Sequence, residues 1–132
     1  MNATVKEWFA KAEKDFATAR RELAALEEPN YDAVCFHAQQ CVEKLMKGLL
    51  ISLEVTPPKT HDLAYLHQLL APVCPEWSCA LEDLRFLTRA AVAFRYPGES
   101  ADLEEAQQAF RIASNLREKL FSLWQLKGNA NQ

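Results

Sequence analysis

Val34-Cys35-Phe36-His37-Ala38-Gln39-Gln40-Cys41-Val42-Glu43-Lys44-Leu45-Met46-Lys47-Gly48-Leu49-Leu50-Ile51-Ser52-Leu53 decides the fold. Val34, Ala38, Val42, Leu45, Leu49 and Leu53 recur every three or four residues, which lines one face of an α-helix with apolar side chains. The helix must stop at Val55-Thr56-Pro57-Pro58, because consecutive prolines cannot extend it. At about 100° per residue, His37, Gln40, Lys44 and Lys47 fall in one narrow sector roughly opposite that seam. Such a stripe is either a solvated face or, with an imidazole, an amide and two ammonium groups, a place for a phosphate and a base edge.

Working toward the N-terminus, Val5, Phe9, Ala12, Phe16, Ala19, Leu23 and Leu26 mark an earlier helix, closed at Glu27-Glu28-Pro29-Asn30. The short joint folds these two helices into an antiparallel hairpin. Toward the C-terminus, Thr60 or Asp62 caps a short helix carrying Leu63, Leu66, Leu69 and Leu70, broken at Ala71-Pro72-Val73-Cys74-Pro75. A fourth helix is expected to open with Pro75 or Glu76 in its first turn. Its seam is Trp77, Leu81, Leu84, Thr88, Ala91 and Phe94, and Pro97-Gly98 ends it. Asp102 with Glu105 forms a capping-box start for a fifth, bearing Leu103, Ala106, Phe110, Ala113, Leu120 and Trp124. No segment alternates with a period of two between hairpin turns. The fold class is all-α: an up-and-down antiparallel bundle of four long helices plus one short one. Residues 1–126 form the bundle and 127–132 a frayed polar tail.

Composition agrees. The chain has 132 residues, 49% of them hydrophobic and only 3 glycines, which suits one domain of packed helices. A net charge of −3 and a pI near 5.6 argue against a broadly basic nucleic-acid surface, so any nucleotide site must be local. Met1-Asn2-Ala3-Thr4-Val5-Lys6 lacks the apolar core of a signal peptide, and no apolar run nears the roughly 20 residues of a membrane span; a cytoplasmic protein is expected. Cys35, Cys41, Cys74 and Cys79 form no C-x-x-C pair and have no histidine at zinc-finger spacing, so they read as structural thiols, with no metal and no cofactor implied.

Polar clusters mark the joints: Phe36-His37-Ala38-Gln39-Gln40 running on to Glu43-Lys44, Lys59-Thr60-His61-Asp62-Leu63, and Arg95-Tyr96-Pro97-Gly98. In this order, and over nearly the whole chain, they resemble the HEPN family (higher eukaryotes and prokaryotes nucleotide-binding). The resemblance implies a nucleotide or RNA ligand, a homodimer, and a role as helical partner of a minimal nucleotidyltransferase in a toxin–antitoxin-like pair. Ribonuclease members of the family carry an Arg, roughly four to six intervening residues, then a His. Here Arg95 is followed by Tyr96-Pro97-Gly98-Glu99-Ser100-Ala101-Asp102, without a histidine. No catalytic residue is therefore assigned, because the proton-transferring His is missing.

The candidate binding residues are His37, Gln40, Lys44, Lys59, His61, Arg95 and Tyr96. Each has a plain alternative. Lys59 and His61 at a helix start suit an anion, but Thr60 or Asp62 can cap those N–H groups. Arg95 suits a phosphate, but a cation at a helix C-terminus needs no ligand. Tyr96 can stack on a base or lie against a partner subunit. Arg85 and Arg89 either pair with acids such as Glu82 or extend a basic patch toward Arg95. His67 reads as a surface or joint histidine. Trp8, Tyr65, Trp77, Tyr96 and Trp124 exceed what one small core needs, which motivates the dimer. The rival functions are a divergent metal-independent ribonuclease and a structural adaptor without a nucleotide site.

Overall fold

A computed structural model describes residues 3–94 and 96–128. In it α1 (Ala3–Leu23), α2 (Tyr31–Ser52), α3 (Leu63–Leu70), α4 (Leu81–Ala93) and α5 (Leu103–Leu123) form the expected bundle, with α5 running into a π-helical turn, Trp124–Gly128. α2 is the central element. It packs most extensively on α1, then on α5 and α4, and touches α3 as well. Its seam residues Val34, Ala38, Val42, Leu45 and Leu49 are fully buried, and so are Cys35, Cys41, Met46 and Leu50 on either side.

The helix ends follow from local chemistry. Asn30 caps α2 by accepting from the Ala33 N–H, and Asp62 caps α3 by accepting from the Ala64 N–H. Asp102 and Glu105 close the capping box of α5. The Ala101 N–H beside it donates to Asp32 Oδ1 at 2.7 Å, tying the entry of α5 to the first turn of α2. At the other end of α2 the N–H of Glu54 reaches the Ile51 carbonyl and that of Val55 the Leu50 carbonyl, a Schellman motif with Glu54 in the left-handed conformation.

Close approach of α1 to α2 depends on Gly48. A Cβ there would lie 2.5 Å from Phe9 Cε1 and 3.2 Å from Trp8 Cβ. Phe9 is held in turn by Phe121 and Trp124, with ring centroids 5.1 and 4.4 Å away. Arg117 clamps α5 to α1 through both carboxylate oxygens of Glu13, at 2.6 and 2.5 Å, while its guanidinium lies 4.4 Å from the Phe16 ring centroid.

Boundaries differ from the sequence pattern in two places. Leu26 does not continue the stripe of α1: the helix ends at Leu23 and Leu26 is 99% exposed. Pro29 keeps Glu28 out of helical geometry, Glu28 takes a φ of 46°, and the chain turns before the last apolar residue can dock. The fourth helix starts at Leu81, not at Pro75 or Glu76. Trp77 is buried outside it, its indole N–H donating to His67 Nδ1 at 2.8 Å and its backbone N–H to the Cys74 carbonyl. That anchor holds the segment in turns. Lys127, expected to begin a frayed tail, lies in the π-helical turn with its Nζ 2.9 Å from Glu76; residues 129–132 lie outside the described part.

Candidate functional site

The polar stripe of α2 is not a solvated face. Because α2 has neighbours on all sides, the sector opposite its seam is covered too, and the stripe divides between two sunken carboxylates. Asp15 of α1, 8% exposed, accepts from His37 Nδ1 at 2.7 Å and from Lys44 Nζ at 2.6 Å. Gln40 and Lys47 turn to Glu43, which is 3% exposed. A buried charge requires such partners, since stripping water from it without them costs several kcal/mol.

Glu43 is the hub. Its Oε1 accepts from Gln39 Nε2 at 3.0 Å, Gln40 Nε2 at 3.3 Å and His61 Nδ1 at 3.0 Å; its Oε2 accepts from Lys47 Nζ at 2.9 Å. Gln39 also donates to the His61 carbonyl at 3.0 Å, which fixes the turn before α3 against α2. Burial pushes the Glu43 carboxyl up, but the hydrogen bonds from Gln39, Lys47 and His61 and the Lys47 charge outweigh it, so the group lies below its ordinary 4.5.

Above this hub opens a cleft of about 160 Å³, lined by Phe36, Gln39, Gln40 and His61 on one side and by Thr88, Ala91 and Val92 of α4 on the other. Thr88 Oγ1 accepts the Leu63 N–H at 3.2 Å, anchoring the start of α3 to the same wall. The walls are mostly apolar, and Val92 among them is half exposed. Of the predicted residues, then, Gln40 and His61 meet in one cleft. His37 and Lys44 bind Asp15. Lys59 is exposed and does not line the cleft, Tyr96 is exposed at the joint beyond α4, and Arg95 lies outside the described residues.

Arg85 and Arg89 are exposed on α4, and among the described residues neither is ion-paired; Glu82 does not reach them, and Arg89 lies 6.0 Å from the Phe86 ring centroid. His67 serves as acceptor for Trp77. Of the aromatic residues in excess, Trp77 is in the core, Trp8 and Trp124 pack on it, and Tyr65 and Tyr96 remain exposed. Glu43, Gln39 and Asp15 were missed as site residues. An acid set directly beside Phe16 on the apolar stripe of α1, and a Gln-x-x-x-Glu pair on the most apolar of the long helices, were the available signals. Among the described residues no His, Cys, Asp and Glu side chains cluster as a metal site, and no helix is long and apolar enough to cross a membrane.

The sequence model of the HEPN domain matches residues 5–123. The fold is similar to TT1696 from Thermus thermophilus, with a TM-score of 0.75 and 22% identity over 93% of this chain and 99% of that one. It is similar also to ST0689, an archaeal HEPN homologue, with a TM-score of 0.70 and 22% identity over 92% and 98%. Comparison with curated proteins gives no match.

Proposed function

This chain belongs to the HEPN domain family, and from that premise we propose that it is a nucleotide- or RNA-binding module, working as a homodimer and as the helical partner of a minimal nucleotidyltransferase. The observation that carries the reading is the cleft over Glu43. Gln40 and His61, two side chains suited to a base edge, converge there against apolar walls that include the exposed Val92. His37 and Lys44, satisfied by Asp15, serve the hairpin of α1 and α2 first. No histidine follows Arg95 at the ribonuclease spacing, so the module holds its ligand without cutting it.

Equilibrium binding of nucleoside monophosphates and of short single-stranded RNA tests the ligand, with the RNA recovered and sized afterwards. Binding with intact RNA is the expected result. Metal-independent cleavage lost in Arg95→Ala would instead make the chain a ribonuclease, and no binding of either ligand would make it an adaptor. Light scattering after size exclusion tests the dimer, and a monomer at micromolar concentration refutes it.

A further inference from the structure

The hydrogen-bonding groups left over in the cleft are one-sided. Both amide protons of Gln39 are committed, to Glu43 Oε1 and to the His61 carbonyl. Both of Gln40 are committed as well, to Gln39 Oε1 at 2.8 Å and to Glu43 Oε1 at 3.3 Å. A primary amide has two N–H donors and one oxygen acceptor, so what Gln40 retains is its oxygen. His61 sets Nδ1 against the Glu43 carboxylate, which can only accept. That places the proton on Nδ1 and leaves Nε2 of the neutral ring as a lone-pair acceptor on a side chain 81% exposed. Thr88 Oγ1 already accepts from Leu63 and keeps its hydroxyl hydrogen. The remaining lining, Phe36, Ala91 and Val92, is apolar. The cleft offers two acceptors and one hydroxyl.

We propose that this cleft selects a nucleobase presenting an exocyclic amino group over one presenting a carbonyl at the same edge. The inference rests on the nucleotide-binding reading above and adds to it the class of base. A carbonyl turned toward Gln40 and His61 would set acceptor against acceptor, whereas an amino group donates to them. Size places the rest of the ligand. A volume of about 160 Å³ is well under the roughly 300–1,000 Å³ of sites that enclose a whole small molecule, so the cleft holds a base edge and leaves sugar and phosphate outside. Val92 of the cleft wall lies one helical turn from Arg89, and Arg85 one turn further back; these exposed guanidinium groups, without an ion pair among the described residues, provide the phosphate contact.

The test compares bases that differ at that edge, where an amino group beside a bare ring nitrogen becomes a carbonyl beside a ring N–H: AMP with IMP, and CMP with UMP, at about pH 8, above the usual histidine range, alongside short RNA homo-oligomers of A, I, C and U. AMP and CMP are expected to bind about tenfold tighter than their partners. Gln40→Leu should bring each ratio toward one, and Arg85→Ala with Arg89→Ala should weaken all four alike. Equal affinity within each pair, in both mononucleotides and oligomers, overturns the base preference and leaves the binding module standing. No binding by any of them overturns both. Should Gln40→Leu fail to fold, the ratios on the unaltered chain decide alone.

Discussion

His61 Nδ1 stands 3.0 Å from Glu43 Oε1, although the histidine side chain is 81% exposed and the carboxylate 4% exposed. The two ends of this bond have different energetic weight. Removing His61 opens a surface partner that water replaces, so His61→Ala is expected to cost under about 1 kcal/mol. Glu43→Gln removes the charge that Lys47, itself 8% exposed at the side chain, requires beneath the surface. An unpaired buried ammonium costs about 3–5 kcal/mol. Urea unfolding of the two variants checks the ordering, and equal losses would contradict the hub role of Glu43.

The same carboxylate fixes a sign for the acid limb of stability. Its pKa in the fold lies below the ordinary 4.5, so the folded state binds the proton less readily than the unfolded chain. The stabilisation is fully present above pH 4.5 and is lost as pH falls through the folded value. The stability gap between the native chain and Glu43→Gln, followed by urea titration at successive pH values, should narrow only below about pH 4.5. A gap that narrows instead toward neutral pH would assign the effect to another group.

Period and punctuation in the sequence were enough for the bundle. Spacings of three and four on α2 and α5, the Asp102–Glu105 box and the Pro57-Pro58 stop are local signals, and local chemistry enforces them. Of the two misplaced boundaries, the one at Leu26 follows from the local turn at Glu28-Pro29, whereas the one at Pro75 lies where a tertiary anchor overrides propensity; the bond from Trp77 to His67 cannot be foreseen from residues ten apart in sequence. The site was half legible for a related reason. A polar stripe opposite an apolar seam means solvent on a helix with one buried face, but α2 is enclosed, and its polar side chains were matched by Asp15 and by Glu43 on its own surface. Lys47 and Glu43 are an i,i+4 pair that helix periodicity does encode, but that Asp15 takes His37 and Lys44 depends on the register of α1 against α2, which it does not.

That register has a steric stop at Gly48. Alanine ordinarily gains about 1 kcal/mol over glycine inside a helix. Here its methyl would meet the Phe9 ring 2.5 Å away, and the ring is backed by Phe121 and Trp124. Overpacking of this kind costs about 1–3 kcal/mol, which outweighs the propensity gain. Gly48→Ala should therefore lower the thermal midpoint, and Phe9→Leu in the same chain should recover part of the loss. A more stable Gly48→Ala would mean that α1 shifts freely on α2.

Glu54 offers the opposite case. It sits after the C-cap of α2 at a φ of 65°, where a side chain crowds the backbone and glycine does not. The Schellman bonds from Glu54 and Val55 hold that conformation, so a glycine can adopt it without rearrangement. Relief of the left-handed strain, less the greater freedom glycine gains in the unfolded chain, gives Glu54→Gly a net stabilisation of about 0.5–1 kcal/mol. Calorimetry decides it, and a lowered midpoint would show that the Glu54 side chain contributes more than its backbone strain costs.

The cysteines separate by burial into thiols of different reactivity. Cys35 and Cys41 are fully buried, and burial first, with neighbouring carboxylates adding to it, pushes each thiol up to about 12. Burial raises the Cys74 and Cys79 thiols as well, but Cys74 is buried whereas Cys79 is only half-buried and lines a groove between α4 and α5, so access sets it apart. Reaction requires the thiolate and access to it. An aromatic disulfide reagent under native conditions should therefore modify one thiol per chain ahead of the others, and Cys79→Ser should remove that phase. The other three should react only as fast as the protein unfolds. The raised thiols also stabilise the fold at neutral pH in the protonated form, a contribution present below pH 9.0 and lost between there and about 12. Melting above pH 9.0 should thus fall more steeply for the native chain than for Cys35→Ala, and a second fast thiol in the labelling experiment would contradict the burial of Cys35 and Cys41 from which both expectations follow.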